Sequence, residues 1–458
     1  MPLKADQQSK LFDVLVIGGG YAGASVAMEL VRQSDDNISV ALIERSGKFG
    51  AGVAYGTTHP EHLLNVPIKK MSAFADESDH FLNWAKEHIS DFDGDNLGDA
   101  YVPRMTYAKY LTDTLSVYKN QIEFIEAEAL DLDISDESVT CFCTQDIKIN
   151  AKKAVWSLGN FSPANPYLGE GSESLYGDHR YIANPWKSDA IYTLDEDADV
   201  TFIGTGLTAI DMIMSLYARG HKGKITALSR RGVMSQPHKP HEPQRDFVAE
   251  DSLIGCSLRQ LMRAMRKEVK SLGCPDRDWR GVTNSIRPHT QALWAAFNLE
   301  DKNRFLRHVR PVWDSHRHRI ALQSVENLDE MKARGQLKVI AAKGQTVDIT
   351  QDKIELAYRL RGTDEVQSHT ADLVVNCTGP ARRYTKNKAP LIQNTLKKGY
   401  ITEHETGMGL VCDAEGRICK NLYTLGISRV GELWESKTVG DTRVQAHRLA
   451  PVILQNLL

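Results

Sequence analysis

Two short glycine-bearing runs carry the residue types and the spacing needed to grip phosphate. Gly18-Gly19-Gly20-Tyr21-Ala22-Gly23 follows an apolar stretch, Leu11–Ile17, and leads into a helix-like stretch, Ala24–Gln33. A strand before and a helix after are the conditions that a bare G-x-G-x-x-G match leaves unmet. Gly18 permits the tight turn, Gly20 lets backbone N–H groups approach a pyrophosphate, and Gly23 lets helix pack closely on strand. The helix N-terminus adds its positive dipole end. Glu44 stands 21 positions beyond Gly23, after a second strand, Ile38–Ile43. Its carboxylate is placed to accept hydrogen bonds from a ribose 2′-hydroxyl, with Arg45 beside it and Gly19 and Ala22 inside the cradle.

The second run is Gly204-Thr205-Gly206-Leu207-Thr208-Ala209, set between a strand, Val200–Ile203, and a helix, Ile210–Arg219. Alanine in the third position affects only the approach of helix to strand. After the next strand, Ile225–Leu228, the residue 21 positions beyond Ala209 is Arg230, followed by Arg231. A carboxylate repels a 2′-phosphate, whereas a guanidinium binds it with charge-assisted hydrogen bonds. The first unit therefore expects an adenosine with a free ribose, and the second expects NADPH over NADH, unless Arg230 and Arg231 are only solvated surface charges. Two dinucleotide sites in one chain imply FAD plus NADP, since hydride passing from NADPH to flavin gives the pair a purpose. The loops Gly50–Tyr55 and His62–Pro67 follow soon after Glu44 and mix small with polar residues. Tyr55 and Asn65, with Leu64 between them in that second loop, are candidates to contact the flavin, or else members of a buried structural loop.

These residues need two repeated scaffolds, and the chain supplies them. Each strand–turn–helix–strand unit is followed by paired strand-like segments. The first set is Glu123–Leu132, Ser138–Cys143 and Ala154–Leu158, ending at Gly159. The second is Lys338–Ile349, Ile354–Arg359 and Leu373–Cys377, ending at Gly379. A helical insertion occupies about residues 240–330, and a final strand, Leu422–Gly426, precedes a terminal helix over Lys437–Leu457. The expected fold class is α/β, with two dinucleotide-binding (Rossmann-like) domains and a helical insertion in the second. The expected division is 1–190 with 371–458 for FAD and 191–370 for NADP. Gly159, Gly379 and Gly426 close three strands at the cofactor edge.

Composition removes whole classes. The 458 residues carry 56 Lys and Arg against 59 Asp and Glu, with 41% hydrophobic residues, which excludes a disordered or fibrous chain. A net charge of −3 offers no global basic field for nucleic acid. No run of 18 apolar residues exists, and the polar opening followed by a short apolar run is no signal peptide, so a cytoplasmic protein away from the membrane is expected. Seven cysteines never fall as Cys-x-x-Cys, so neither a zinc site nor a redox dithiol is expected, and no metal. The charge is nevertheless divided. Residues 261–320 hold 13 Lys and Arg against 6 Asp and Glu, with 4 histidines. Arg304, Arg307, His308 and Arg310 recur at near-helical spacing, and His316, Arg317, His318 and Arg319 follow. This cluster suits salt bridges to the acidic remainder, or an anionic cofactor or substrate.

The chain resembles a bacterial FAD/NAD(P)-binding flavoprotein family related to flavin-containing and N-hydroxylating monooxygenases. The resemblance rests on Val14–Ala24, Gly50–Tyr55 with Leu63–Pro67 and Met71-Ser72, Asn184-Pro185-Trp186, and Ser229–Gly232. It extends to Asp278-Trp279-Arg280, the Phe305–His308 and His316–Arg319 runs, and Leu425-Gly426 with Gly431–Glu435. It implies bound FAD and reduction by NAD(P)H. Val155–Asn160 and Val374–Gly379 look like the Ala-Thr-Gly strand ends of that superfamily, with the alanine replaced by Ser157 and Cys377. Gly426 is followed by Ile427, without the Gly-Asp pair of disulfide reductases. The expected activity is an NADPH-consuming oxidoreductase, with a monooxygenase working through a flavin hydroperoxide on a small-molecule substrate as the leading reading. The competitors are an NAD(P)H:acceptor oxidoreductase and a non-catalytic flavin-binding scaffold.

Overall fold

The computed structural model describes residues 10–35, 37–90, 96–273 and 279–457; the opening segment, Cys274 and Asp278 lie outside the described residues. Strands and the helices of eight or more residues are numbered in chain order. The first unit runs β1 (Leu11–Ile17), α1 (Tyr21–Gln33), β2 (Val40–Ile43), α2 (His80–His88), α3 (Arg104–Ser116), β3 (Ile122–Ile125), β4 (Ala129–Ile134), β5 (Val139–Cys143) and β6 (Lys148–Trp156). The second begins with β7 (Tyr181–Ile182), β8 (Val200–Ile203), α4 (Leu207–Ala218) and β9 (Ile225–Ser229). The insertion follows with α5 (Leu258–Ser271), α6 (Trp279–Ile286), α7 (Arg310–Arg317) and α8 (Leu322–Ala333). The rest is β10 (Leu337–Ile349), β11 (Ile354–Leu360), β12 (Val366–Ala371), β13 (Leu373–Asn376), α9 (Pro390–Lys397), β14 (Arg417–Cys419), β15 (Leu422–Thr424) and α10 (Val439–Gln455).

Two sheets result. The first has the order β14-β15-β6-β1-β2-β3, with the antiparallel pair β4–β5 attached through β6. The second has the order β12-β11-β10-β9-β8-β13-β7. In the first, β1 is flanked by β2 and β6, both parallel to it; in the second, β8 is flanked by β9 and β13 in the same way. The duplication read from the sequence is thus a duplication of topology. The central strands are covered on both faces, so β2 and β8 are buried along their length, as parallel strands between helices must be. The terminal helix returns to the first sheet. Ala446, Leu449 and Ile453 of α10 share one core with Val26, Leu30 and Val31 of α1.

Several boundaries shift for identifiable reasons. Helices α1 and α4 begin at Tyr21 and Leu207, not at Ala24 and Ile210. The extended residues Gly20 and Gly206 cap them directly, leaving no loop between turn and helix. The expected strand Glu123–Leu132 is two strands, β3 parallel in the sheet and β4 antiparallel in the meander. Strand β12 was not anticipated, because Val-Gln-Ser-His-Thr-Ala is mostly polar and forms an open edge. Tyr181–Ile182 and Leu373–Asn376 hydrogen-bond into the second sheet. The expected divisions at 190/191 and 370/371 therefore cut off two strands that the second sheet claims by pairing. The insertion forms its own core around Phe247, Val282, Ile286, Trp294 and Trp313, which also takes in Met408, Val430 and Trp434 of the C-terminal segment. Trp294 stacks on Trp434 at 4.9 Å and donates its indole N–H to Gly431 O at 2.7 Å. No helix among the described residues is long and apolar enough to cross a membrane.

Candidate functional site

The first turn is tightened by its neighbours. Gly18 has φ +102°, and a Cβ there would lie 2.5 Å from the carbonyl oxygen of Ser157. A Cβ on Gly23 would lie 1.9 Å from Gly18 O, so no side chain is tolerated where α1 crosses β1. The Ser157 hydroxyl donates to Ile17 O and Gly18 O, each at 2.9 Å, and fixes the carbonyls at the turn. Gly19 N–H donates to Glu44 Oε2 at 3.0 Å, while Glu44 Oε1 accepts from the Ser46 hydroxyl at 2.8 Å. Glu44 Oε1 also accepts the Ser46 N–H at 3.1 Å, which leaves Oε2, with the single Gly19 donor, the oxygen with capacity for a further hydrogen bond. Loop Gly50–Tyr55 touches the turn, since a Cβ on Gly20 would lie 3.3 Å from Gly52 Cα.

The second turn repeats the backbone and changes the chemistry. Gly204 has φ +121°, and its Cβ would lie 2.3 Å from Cys377 O, the counterpart of Ser157 O. A real Cβ is accommodated at Ala209, so helix and strand sit less tightly here. Thr205 donates to Ser229 Oγ at 2.9 Å and contacts Val233 O at 2.6 Å, tying the turn to the loop that carries Arg230 and Arg231. Arg230 is exposed and has no carboxylate partner among the described residues. Arg231 Nη2 makes a long contact, 3.5 Å, to Arg307 O. Pro311 has no N–H to return to that carbonyl, and the chain passes through a π-helical turn over Phe305–Val309 before α7.

Both turns open on one cleft of about 2510 Å³ between the two domains and the insertion. Of the residues expected from sequence, Gly18, Gly20, Ala22, Glu44, Arg45, Tyr55, Leu64, Asn65 and Gly159 line it from the first unit. Gly204, Thr205, Gly206, Leu207, Thr208, Arg230, Arg231 and Gly379 line it from the second, and Gly426 from the terminal segment. Gly19, Gly23 and Ala209 stand behind the surface, where they shape the turns. Side chains at Gly206, Gly159 or Gly379 would meet nothing within 4 Å and would project into open space. An open cradle at each turn, with a helix N-terminus behind it, fits a diphosphate on each side of the cleft.

The basic insertion divides by function. Arg304 pairs with Glu300 and Asp301, and neither it nor His308 lines the cleft. Arg307, Arg310, Arg317 and His318 do line the cleft. Sequence reasoning missed Arg287, Arg382 and Lys437, which line it from three separate segments. Only the +7 excess over 261–320 hinted at the first. It also missed the contact that joins the domains. Arg104 of α3 pairs with Asp211 of α4 through both nitrogens, at 2.9 and 3.1 Å. Burial raises the Asp211 carboxyl to about 6, against the pull of Arg104. Beside it His62 bonds Thr57 at 2.7 Å and Ser215 at 2.8 Å, and burial lowers its pKa to about 4.

Fold and site together define a flavoprotein-type architecture with two dinucleotide-binding domains. Residues 15–161 match a family model described as FAD-NAD(P)-binding, so this part of the chain is an FAD/NAD(P)-binding domain. No curated protein matches the chain in sequence. Among solved structures, the chain is similar to L-lysine 6-monooxygenase from Pseudomonas syringae, with a TM-score of 0.68 at 15% identity, covering 97% of this chain and 99% of that one. It is similar to ornithine hydroxylase from Pseudomonas aeruginosa, with a TM-score of 0.67 at 17% identity over 98% and 100%. A thioredoxin reductase from T. acidophilum follows with a TM-score of 0.53 at 14% identity over 97% and 98%. At these identities the likeness is one of fold.

Proposed function

We propose that the chain is an FAD-dependent, NADPH-consuming oxidoreductase that acts as a monooxygenase on a small molecule. The observation that carries this reading is the pair of glycine turns opening on one cleft, with Glu44 behind the first and Arg230 behind the second. The turn at Gly18–Gly23 and the N-terminus of α1 hold the diphosphate of FAD, and Glu44 takes the ribose hydroxyls. The turn at Gly204–Ala209 holds the NADPH diphosphate, with Arg230 and Arg231 on the 2′-phosphate. Thr205 and Ser229 fasten the arginine-bearing loop to the turn, so that both parts of the nucleotide are read in fixed register. When bound, FAD accepts hydride from NADPH and delivers electrons to dioxygen, one atom of which enters the substrate. The chain's own task is to orient the two cofactors and exclude water; no side-chain nucleophile is required.

One solved neighbour is named an ornithine hydroxylase and another an L-lysine 6-monooxygenase, which supports oxygenation over plain electron transfer; the sequence has no Cys-x-x-Cys for a disulfide reductase. The test is to supply NADPH and ¹⁸O₂ with a panel of amines and organic anions, measuring NADPH used, peroxide released and label in product. Peroxide falling short of NADPH, with one labelled oxygen in a product, is expected. Peroxide equal to NADPH with every compound overturns oxygenation and leaves an acceptor reductase.

A further inference from the structure

A chamber of unmatched positive charge lies where the insertion meets the segment before α10. Two of its cations have carboxylates: Arg310 Nε donates to Asp314 at 3.1 Å, and Arg317 Nε donates to Glu435 at 3.0 Å. The other Glu435 oxygen accepts the Trp313 indole N–H at 2.8 Å, so both oxygens of that carboxylate already have a donor. Three further cations, Arg287, Arg382 and Lys437, have no carboxylate partner among the described residues, and all five line the cleft. Arg310 and Arg382 converge on one atom, Met408 Sδ, at 3.8 and 3.7 Å. Arg287 and Lys437 are exposed along the wall of the cleft. His318 sits among them. Burial, reinforced by Lys437, Arg317, Arg310 and Arg287, holds its pKa well below the ordinary value, so it adds no charge at neutral pH.

With Arg443 and Asp441, which both act on Arg287, six cations face three carboxylates along one stretch of the cleft, an excess of three. Gathering like charges along one wall of a cleft costs folding free energy through their mutual repulsion. A ligand of opposite charge is the natural compensation. The chamber is built from other segments than the Arg230–Arg231 loop, so it is not the 2′-phosphate site. We infer that this chamber binds a small organic anion with two or three negative charges, carried on carboxylates or a phosphate group. Resting on the proposed function, that anion is the molecule oxidised. Ornithine and lysine, named for two structural neighbours, carry net positive charge, which this chamber repels.

Calorimetric titration of the flavin-loaded protein tests this with citrate, inorganic phosphate and ornithine, each with and without saturating NADP⁺. The expected result is binding of citrate or phosphate, whichever group the site prefers, that persists with NADP⁺ and is weakened at least about tenfold in Lys437→Gln and in Arg287→Gln. Lys437→Arg restores it, Arg230→Glu leaves it unchanged, and ornithine does not bind. Arg287→Gln stands alone if Lys437→Gln does not fold. Absence of binding by both anions, tighter binding of ornithine, insensitivity to both variants, or displacement of the anion by NADP⁺ each overturns the inference. Binding requires no hydride transfer, so a protein that binds citrate but is not reduced by NADPH keeps the anion site and loses the proposed function.

Discussion

The two glycine turns share a backbone and differ in how they are fastened. At the first, Ser157 clamps Ile17 O and Gly18 O, and Gly19 is bonded directly to Glu44. At the second, Cys377 occupies the place of Ser157, and the clamp has moved to Thr205, which holds the following loop through Ser229 and Val233. The first turn is thereby closed onto its own sheet, while the second is tied to the loop that bears Arg230. A turn that keeps its cofactor needs rigidity at the diphosphate. A turn whose ligand arrives and leaves needs a loop that reads it.

The largest effect expected from this contrast is at the third position. Gly23→Ala places a Cβ 1.9 Å from Gly18 O and 2.8 Å from Ser157 Oγ, so it should cost several kcal/mol, about 3 or more, and release FAD. Ala209→Gly removes a Cβ that already fits and should cost about 1 kcal/mol or less. Denaturant unfolding of both variants breaks the comparison if the two costs are similar.

Next is the sign at the strand end. Arg230→Glu should weaken NADP⁺ binding at least about thirtyfold, by removing a charge-assisted bond and adding repulsion, with little change for NAD⁺. Equal losses for both nucleotides would show that Arg230 does not read the phosphate. A smaller effect separates the clamps. Ser157→Ala takes the hydroxyl donor from Gly18 O, while Ile17 O keeps the residue-157 N–H, and should cost about 1–3 kcal/mol, whereas Cys377→Ala should cost about 1–2 kcal/mol and leave FAD content unchanged. Flavin retained per chain after dialysis measures the difference.

The smallest effect concerns the joint between the two units. His62 is fully buried with its pKa lowered to about 4, so the folded state favours the neutral ring. Its contribution is whole above the unfolded value near 6.5 and is lost as the pH falls toward 4. Asp211, raised to about 6, works the other way, because protonation in the folded state stabilises it as the pH falls. The two oppose, and His238, also lowered to about 4, tips the balance toward acid destabilisation. Unfolding at pH 7 and pH 5 should show a loss of about 1–2 kcal/mol, reduced in His62→Asn. No change in the variant's pH slope would remove His62 from the account.

The turns were legible in the sequence because their chemistry is local. Glycines within six residues, a flanking strand and helix, and a charged residue at fixed distance carry the pattern. Ser157 was visible only as a departure from Ala-Thr-Gly, since its bonds to Ile17 and Gly18 exist only once β6 lies beside β1. The boundaries failed at Tyr181–Ile182 and Leu373–Asn376 for a like reason: sheet membership is decided by a partner far along the chain. Near-helical spacing grouped Arg304 with Arg310, but Arg304 is taken by Glu300 and Asp301 while Arg310 lines the cleft. The chamber cations Arg287, Arg382 and Lys437 come from three distant segments, and no local pattern links them.

The central claim is that one turn holds a flavin and the other delivers hydride from NADPH. Anaerobic mixing of the purified protein with NADPH or NADH, followed at the oxidised-flavin absorbance, tests it most directly. The account predicts a yellow protein that NADPH bleaches much faster than NADH, with the preference lost in Arg230→Glu. A colourless protein, or flavin that neither nucleotide reduces, would contradict it.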